Sequence, residues 1–166
     1  SASQTDLAGR LKTYLETPLP RFEEKSDLVV MLDSFVSDLG EMARDRTGLE
    51  FSKSLPDDMM QMLHERTGRS MRNLFWLTGE AVENVVRHSQ ATKMEILLKE
   101  ENGSIVYSIW DNGEGIVRTA GTEKPEKGMG LKAIRSLAYA SGAQALFERG
   151  PGGYGLVVRI IWKQDR

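Results

Sequence analysis

The sequence predicts a two-layer α+β sandwich. Its sheet is mixed but mostly antiparallel, its helices cover one face, and a helical segment precedes it. Three observations lead there. Apolar residues recur at helical spacing through the first half, then alternate at strand spacing in the second. The second half holds two hairpin signals, Asn102-Gly103 and Gly150-Pro151-Gly152-Gly153. A helical stretch separates the two hairpins, so the strands come in pairs rather than in βαβ alternation.

The elements follow in order. Leu7–Leu15 is a short amphipathic piece that stops before Pro18 and Pro20. Leu28, Leu32, Phe35, Val36, Leu39, Met42 and Ala43 mark one face of a helix ending at Gly48. Leu49–Leu55 alternates weakly and reads as a strand. Asp57, after Pro56, is expected to cap a helix over Met59–Arg66, and Ser70 to cap a longer one running to His88. Thr92–Lys99 and Ser104–Trp110 are the first strand pair. Asp111–Lys127, rich in Gly, Glu and Lys, is loop. Gly130–Ser141 is helix, ended by Gly142. Ala143–Arg149 and Tyr154–Lys163 are the last strands. The expected division is a helical segment over 1–48, then a sheet-bearing domain over 49–166.

Composition narrows the function. The chain has 166 residues, 40% of them hydrophobic and 28% charged, as in an ordinary globular domain. A net charge of −2 gives no footprint for nucleic acid. The absence of cysteine excludes disulfides, thiolate metal sites and a cysteine nucleophile, and fits a reducing cytoplasm. No apolar run approaches the roughly 20 residues of a membrane helix, so no membrane contact is expected from this segment. The opening Ser1-Ala2-Ser3 reads as an expression scar or a cut from a longer chain.

Three constellations carry chemistry. Glu80, Asn84, Arg87 and His88 fall at i, i+4, i+7 and i+8, on one stripe opposite Leu74, Phe75, Thr78, Val82 and Val85. An acid, an amide, a guanidinium and an imidazole together suit phosphate and Mg²⁺, which takes oxygen ligands and retains waters. The same stripe also fits a solvated helix face. Asp111-Asn112-Gly113-Glu114-Gly115-Ile116 follows a strand directly. A carboxylate there can accept from the exocyclic amine of adenine, and Gly113 and Gly115 admit close backbone approach. An Asx-type turn is the plain alternative, whereas the pattern of a calcium loop fails. Gly128-Met129-Gly130-Leu131 opens a helix whose free N–H groups attract phosphate, with Lys124, Lys127 and Lys132 nearby. Gly128 to Ala133 also matches a dinucleotide fingerprint, but that motif needs a strand immediately before it, and Thr122–Lys127 reads as loop.

Together these residues resemble the ATP-binding domain of the histidine-kinase/gyrase/Hsp90/MutL superfamily. Glu80-x-x-x-Asn84-x-x-Arg87-His88 is similar to its N box. Asp111-x-Gly113-x-Gly115 is similar to the first glycine box, and Gly128-x-Gly130-Leu131 to the second. Gly79–Ala91 further resembles bacterial two-component sensor histidine kinases of the nitrate-sensor and lipid-fluidity-sensor type, whose short ATP lid matches Val117–Lys127.

The resemblance implies the Bergerat-type ATP-binding fold, with ATP and Mg²⁺ as cofactors. Asn84 would coordinate Mg²⁺, and Glu80 would handle a proton. Arg87 and His88 would face the phosphates. Asp111 would read adenine in a pocket shaped by Gly113, Gly115 and Ile116. Gly128 and Gly130 would hinge the lid and admit the phosphates, with Lys127, Met129 and Leu131 beside them as further cofactor-binding residues. The γ-phosphoryl group would pass to a histidine on a phosphoacceptor and dimerisation domain of a homodimeric full-length kinase, and then to a response regulator.

Two departures stand out. Gly155-Leu156 occupies the place where relatives often carry Gly-Thr. The chain has only two histidines, and His64 lies too close to Glu80 for an acceptor hairpin. His64 is therefore expected to be a surface helix residue, with the acceptor outside this chain. An anti-sigma-factor-like serine kinase and a non-catalytic nucleotide-binding interaction module are the alternatives.

Overall fold

A computed structural model describes residues 25–114 and 128–164. Helix α1 (Lys25–Thr47) ends as Gly48, at φ +76°, donates its N–H to the Arg44 carbonyl. Strand β1 (Glu50–Ser54) leads to α2 (Asp57–Thr67), whose first turn carries Asp57 and Asp58 at the positive end of the helix dipole. A 3₁₀ turn (Gly68–Arg72) enters α3 (Asn73–Asn84), which widens into one π-turn (Val85–Ser89). Then come β2 (Lys93–Glu101), β3 (Ser104–Asp111), α4 (Gly128–Ala140), β4 (Gln144–Arg149) and β5 (Leu156–Trp162).

Neither expected side-chain cap forms. Pro56 precedes the first residue of α2 without a capping bond, and Asp57 lies inside the helix. Ser70 sits in the 3₁₀ turn, where its hydroxyl donates to the Thr67 carbonyl 2.6 Å away. With that hydroxyl turned back, α3 starts two residues later than a Ser70 cap implies.

The five strands run in the order β1-β2-β3-β5-β4. Only β1 and β2 are parallel; the other three pairings are antiparallel. The sheet is thus mixed and mostly antiparallel, as expected. Register assigns its two faces. Met94, Ile96 and Leu98 share a face with Asp111, Ile109 and Tyr107, and with Val158 and Ile160. These residues are buried under the helices. Thr78 of α3 and Tyr107 of β3 join hydroxyls at 2.7 Å in that interface, satisfying two buried polar groups at once. At the far end of α4, Trp162 donates its indole N–H to the Ser141 carbonyl at 2.9 Å.

The opposite face has no helix over it among the described residues, yet Val106 there is only 2% exposed. Arg159 lies opposite Ser108, and Glu101 opposite Ser104. The Arg159–Glu101 ion pair therefore spans β3 across Val106, and Glu148 binds the same guanidinium from β4. Charged stems shield the apolar residue beneath them.

Helix α1 buries one face. Leu32, Phe35 and Val36 are 0% exposed and belong to the core that the sheet and the other helices share. The Phe35 and Phe75 rings stand 5.3 Å apart, and Gly40 leaves room for the Phe51 ring. Helix α1 and the sheet thus contribute to one packed core. Leu7–Leu15 lies outside the described residues.

Candidate functional site

The candidate site lies where α3 ends, β3 ends and α4 begins. Asn84, the last residue of α3, lies against Gly130 in the first turn of α4. A Cβ on Gly130 would sit 2.8 Å from the Asn84 Nδ2 and 3.0 Å from its Oδ1. The missing side chain is what lets the amide reach the start of that helix. The first and third sequence constellations therefore meet through this contact. Leu131 is half-buried against the core, and Lys132 is exposed. Gly128 and Met129 form the first helical positions of α4. Gly115, Ile116, Lys124, Lys127 and the expected lid lie outside the described residues.

One turn back from Asn84, Glu80 is partly buried. Its carboxyl is pushed above the ordinary range, first by burial and then by the nearby Glu83 charge; Arg87 opposes both. That is how a carboxyl is prepared to accept or hold a proton. Arg87 and His88 are exposed, on the π-turn rather than on a continuing α-helix. The extra residue in that turn shifts both from strict α-helical register, a common feature of functional helix ends. Arg87 pairs with Glu83 at 2.5 Å along its own helix.

Asp111 closes β3 at 4% exposure. Its Oδ1 accepts the Gly113 N–H at 2.9 Å. Burial pushes its carboxyl upward, and the Gly113 bond partly offsets this. Gly113 lies against Ser89, where a Cβ would overlap the serine carbonyl. Glu114 donates its N–H to that same carbonyl at 2.8 Å. The second constellation is thus fastened directly beside His88.

Three residues to which the sequence assigned no role hold the site together. Ser89 donates its hydroxyl to the Val85 carbonyl and accepts the Ala91 N–H, so it ties off the π-turn. Asn112 binds Thr92 and Lys93. Gly155, at φ +74°, packs its α-carbon onto the Asp111 carbonyl, where any Cβ would overlap. A positive-φ residue in a tight turn is a glycine signal, but its partner 44 positions earlier is not visible in the sequence. Leu156 pairs with Asp111 across β3 and β5 and puts an apolar wall on the same face.

His64 contradicts its expected surface position. It is 9% exposed, and its Nδ1 has no hydrogen-bond partner among the described residues. The reason is spacing: His64 follows Met60 by four residues and shares the buried face of α2 with Met59, Met60 and Leu63.

Residues 71–162 match the family described as the histidine kinase-like ATPase domain. The chain belongs to this family. The sensor protein VraS of Staphylococcus aureus (strain COL) is 33% identical over 110 residues, which are 63% of this chain and 30% of VraS. VraS of Staphylococcus haemolyticus (strain JCSC1435) is 32% identical over the same length. The chain thus spans less than a third of the curated relatives it matches. Among solved structures, the histidine kinase domain of the Erythrobacter litoralis EL346 blue-light activated histidine kinase has a TM-score of 0.62 at 17% identity. It covers 97% of this chain and 73% of its own. The ATP binding domain of PrrB from Mycobacterium tuberculosis has a TM-score of 0.55 at 18% identity, covering 81% and 95% respectively. These structures share the fold.

Proposed function

We propose that this domain binds Mg-ATP and transfers the γ-phosphoryl group to a histidine on a phosphoacceptor domain outside residues 1–166. The observation that carries this reading is the meeting of Asn84 with Gly130 beside a loop that buries Asp111. Asp111 would accept from the exocyclic amine of adenine, with Leu156 as the apolar wall beside it. The first turn of α4 would receive phosphate on its free N–H groups. Arg87 and His88 would add positive charge and donors.

The donor chemistry fits Mg²⁺. Asn84 offers a hard amide oxygen at the helix start. Among the described residues no group of three His, Asp or Glu side chains could hold a metal alone. Mg²⁺ is commonly held in this way, by one or two protein oxygens, phosphate oxygens and retained waters. When bound, it would neutralise phosphate charge. Glu80, its carboxyl raised by burial, would orient or relieve the attacking imidazole of its proton. Phosphoryl transfer asks the protein mainly for positioning and charge stabilisation.

His64 does not serve as the acceptor in this scheme, because a nucleophile must reach the γ-phosphorus and this imidazole is buried. Partners would be the phosphoacceptor and dimerisation domain of a homodimer and, downstream, a response regulator. Among the described residues no helix is long and apolar enough to cross a membrane. A cytoplasmic site of action is part of the proposal, because it supplies ATP and the regulator.

The test is incubation with labelled ATP, Mg²⁺ and the phosphoacceptor domain of a VraS-type kinase. Acid-labile phosphohistidine, absent with Asn84→Ala, is the expected result. Bound ATP without phosphohistidine would leave a nucleotide-binding interaction module. Acid-stable phosphoserine on a partner would instead indicate a serine kinase.

A further inference from the structure

Asp111 lies at the last rung of the β2–β3 ladder, opposite Met94. Past that rung the ladder alone no longer holds the chain. Asn112 takes over. Its backbone N–H donates to the Lys93 carbonyl at 3.2 Å. Its side-chain Oδ1 accepts two backbone N–H groups, from Thr92 at 2.9 Å and Lys93 at 2.8 Å. Its Nδ2 donates to the Thr92 hydroxyl at 2.9 Å. The planar amide thereby uses three of its four hydrogen-bonding positions on one short stretch of backbone. That stretch is itself anchored, since the Thr92 carbonyl accepts the Glu50 N–H from β1.

The consequence falls on Asp111. Its carboxylate is oriented by the Gly113 N–H, and Gly113 is the residue immediately after Asn112. A swing of Asn112 would carry that N–H away from the carboxylate. The second fastening, Glu114 N–H to the Ser89 carbonyl, lies beyond Gly113, so the Asn112 side chain is what ties the peptide ahead of Gly113 to the start of β2.

We propose that Asn112 is a positioning residue for base recognition: it stitches the loop to the start of β2 so that Gly113 aims the Asp111 carboxylate at the base. The inference rests on the adenine-nucleotide reading above. Asn112 touches no nucleotide in this account and acts only through Gly113.

A purely structural asparagine would weaken all ligands together. A positioning one would weaken the ligand that needs Asp111. ADP presents an exocyclic amine to the carboxylate, whereas GDP presents a carbonyl. NMR shift titration reaches millimolar dissociation constants and can follow both. Asn112→Ala should weaken ADP about tenfold, the value of one or two net hydrogen bonds, and leave GDP within about twofold. Asn112→Asp keeps acceptors for both N–H groups and can accept from the Thr92 hydroxyl, so it should restore ADP to within about twofold of the unsubstituted protein.

Amide hydrogen exchange in the unliganded protein gives a second readout. The Gly113 N–H should exchange about tenfold faster in Asn112→Ala and be protected again in Asn112→Asp. Equal losses for ADP and GDP, or an unchanged Gly113 exchange rate, would overturn the proposal. If the unsubstituted protein binds no adenine nucleotide, the function proposed above falls, while Gly113 exchange still decides whether Asn112 positions the loop.

Discussion

The two ends of the site are built differently. Around Asp111 the backbone is wedged: Gly113 lies on Ser89, Gly155 on the Asp111 carbonyl, and Asn112 on Thr92 and Lys93. Around Glu83, Arg87 and His88 the side chains face solvent or one another, and Arg87 pairs within its own helix. The Asp111 end, proposed above to read the base, is held by backbone contacts. The end proposed to face phosphate consists of side chains that would re-pair on binding it. On the function proposed above, rigidity at the first end would set the register of the base, and the second end would supply positive charge once its side chains re-pair on phosphate.

Two alanines break this contrast most strongly. Gly155→Ala forces a Cβ onto the Asp111 backbone in a positive-φ conformation. It should destabilise the domain by about 2–4 kcal/mol. ADP binding should fall with it, as followed by urea midpoint and calorimetry. Gly130→Ala first meets the amide of Asn84, at 2.8 Å. A side chain can give way, so the cost should stay near about 1 kcal/mol, while Mg²⁺-dependent ATP binding weakens. Comparable stability losses from the two would mean that the ends are equally rigid.

Asp111→Asn should separate stability from function. Burial holds the Asp111 carboxyl above its unfolded value, so the folded state keeps a proton that the unfolded state has released. Stability therefore declines as pH rises through the window between the two values, and the decline is complete above the folded one. Asparagine cannot ionise and still accepts the Gly113 N–H through its oxygen. The variant should melt higher than the unsubstituted protein at pH 7. The two should converge below the unfolded aspartate value, where both side chains are neutral. ADP binding should drop about tenfold to a hundredfold with loss of the charged acceptor. A lower melting temperature at pH 7 would show that the carboxylate stabilises the loop.

These contrasts also mark what the sequence can disclose. Asn102-Gly103 announces its hairpin because both residues take positive φ, 52° and 82°, and few other pairs do so cheaply. Asp111 is legible because Gly113 and Gly115 follow it at the spacing of the first glycine box. Asn112 is not, because the residues it binds lie 19 and 20 positions away and become neighbours only when β2 and β3 pair. The spacing of Leu28, Leu32, Phe35 and Leu39 gives α1 an apolar face but does not name what it covers. His64 misleads because its type outweighed its position, four residues after the buried Met60. The π-turn at Val85–Ser89 has no sequence mark, so the stripe drawn through Arg87 and His88 on α-helical spacing was only approximately placed.

The smallest expected effect tests the loose end directly. Glu83→Gln removes the charge that holds Arg87 at 2.5 Å. Both partners are partly exposed, and an i,i+4 pair at a surface is worth about 0.3–0.5 kcal/mol, so the melting temperature should barely move. Two other quantities should. The Glu80 carboxyl loses the neighbouring negative charge that helps raise it, so its titration should shift downward while burial still keeps it above the ordinary range. Arg87, released from its helix, should favour the triphosphate, and ATP should gain over adenosine by a factor of about two to three. Calorimetry with both ligands and carboxyl-detected NMR measure these changes. An ATP-to-adenosine ratio that stays fixed would mean that Arg87 does not reach the phosphates. The phosphate end would then depend on the first turn of α4 and Asn84 alone.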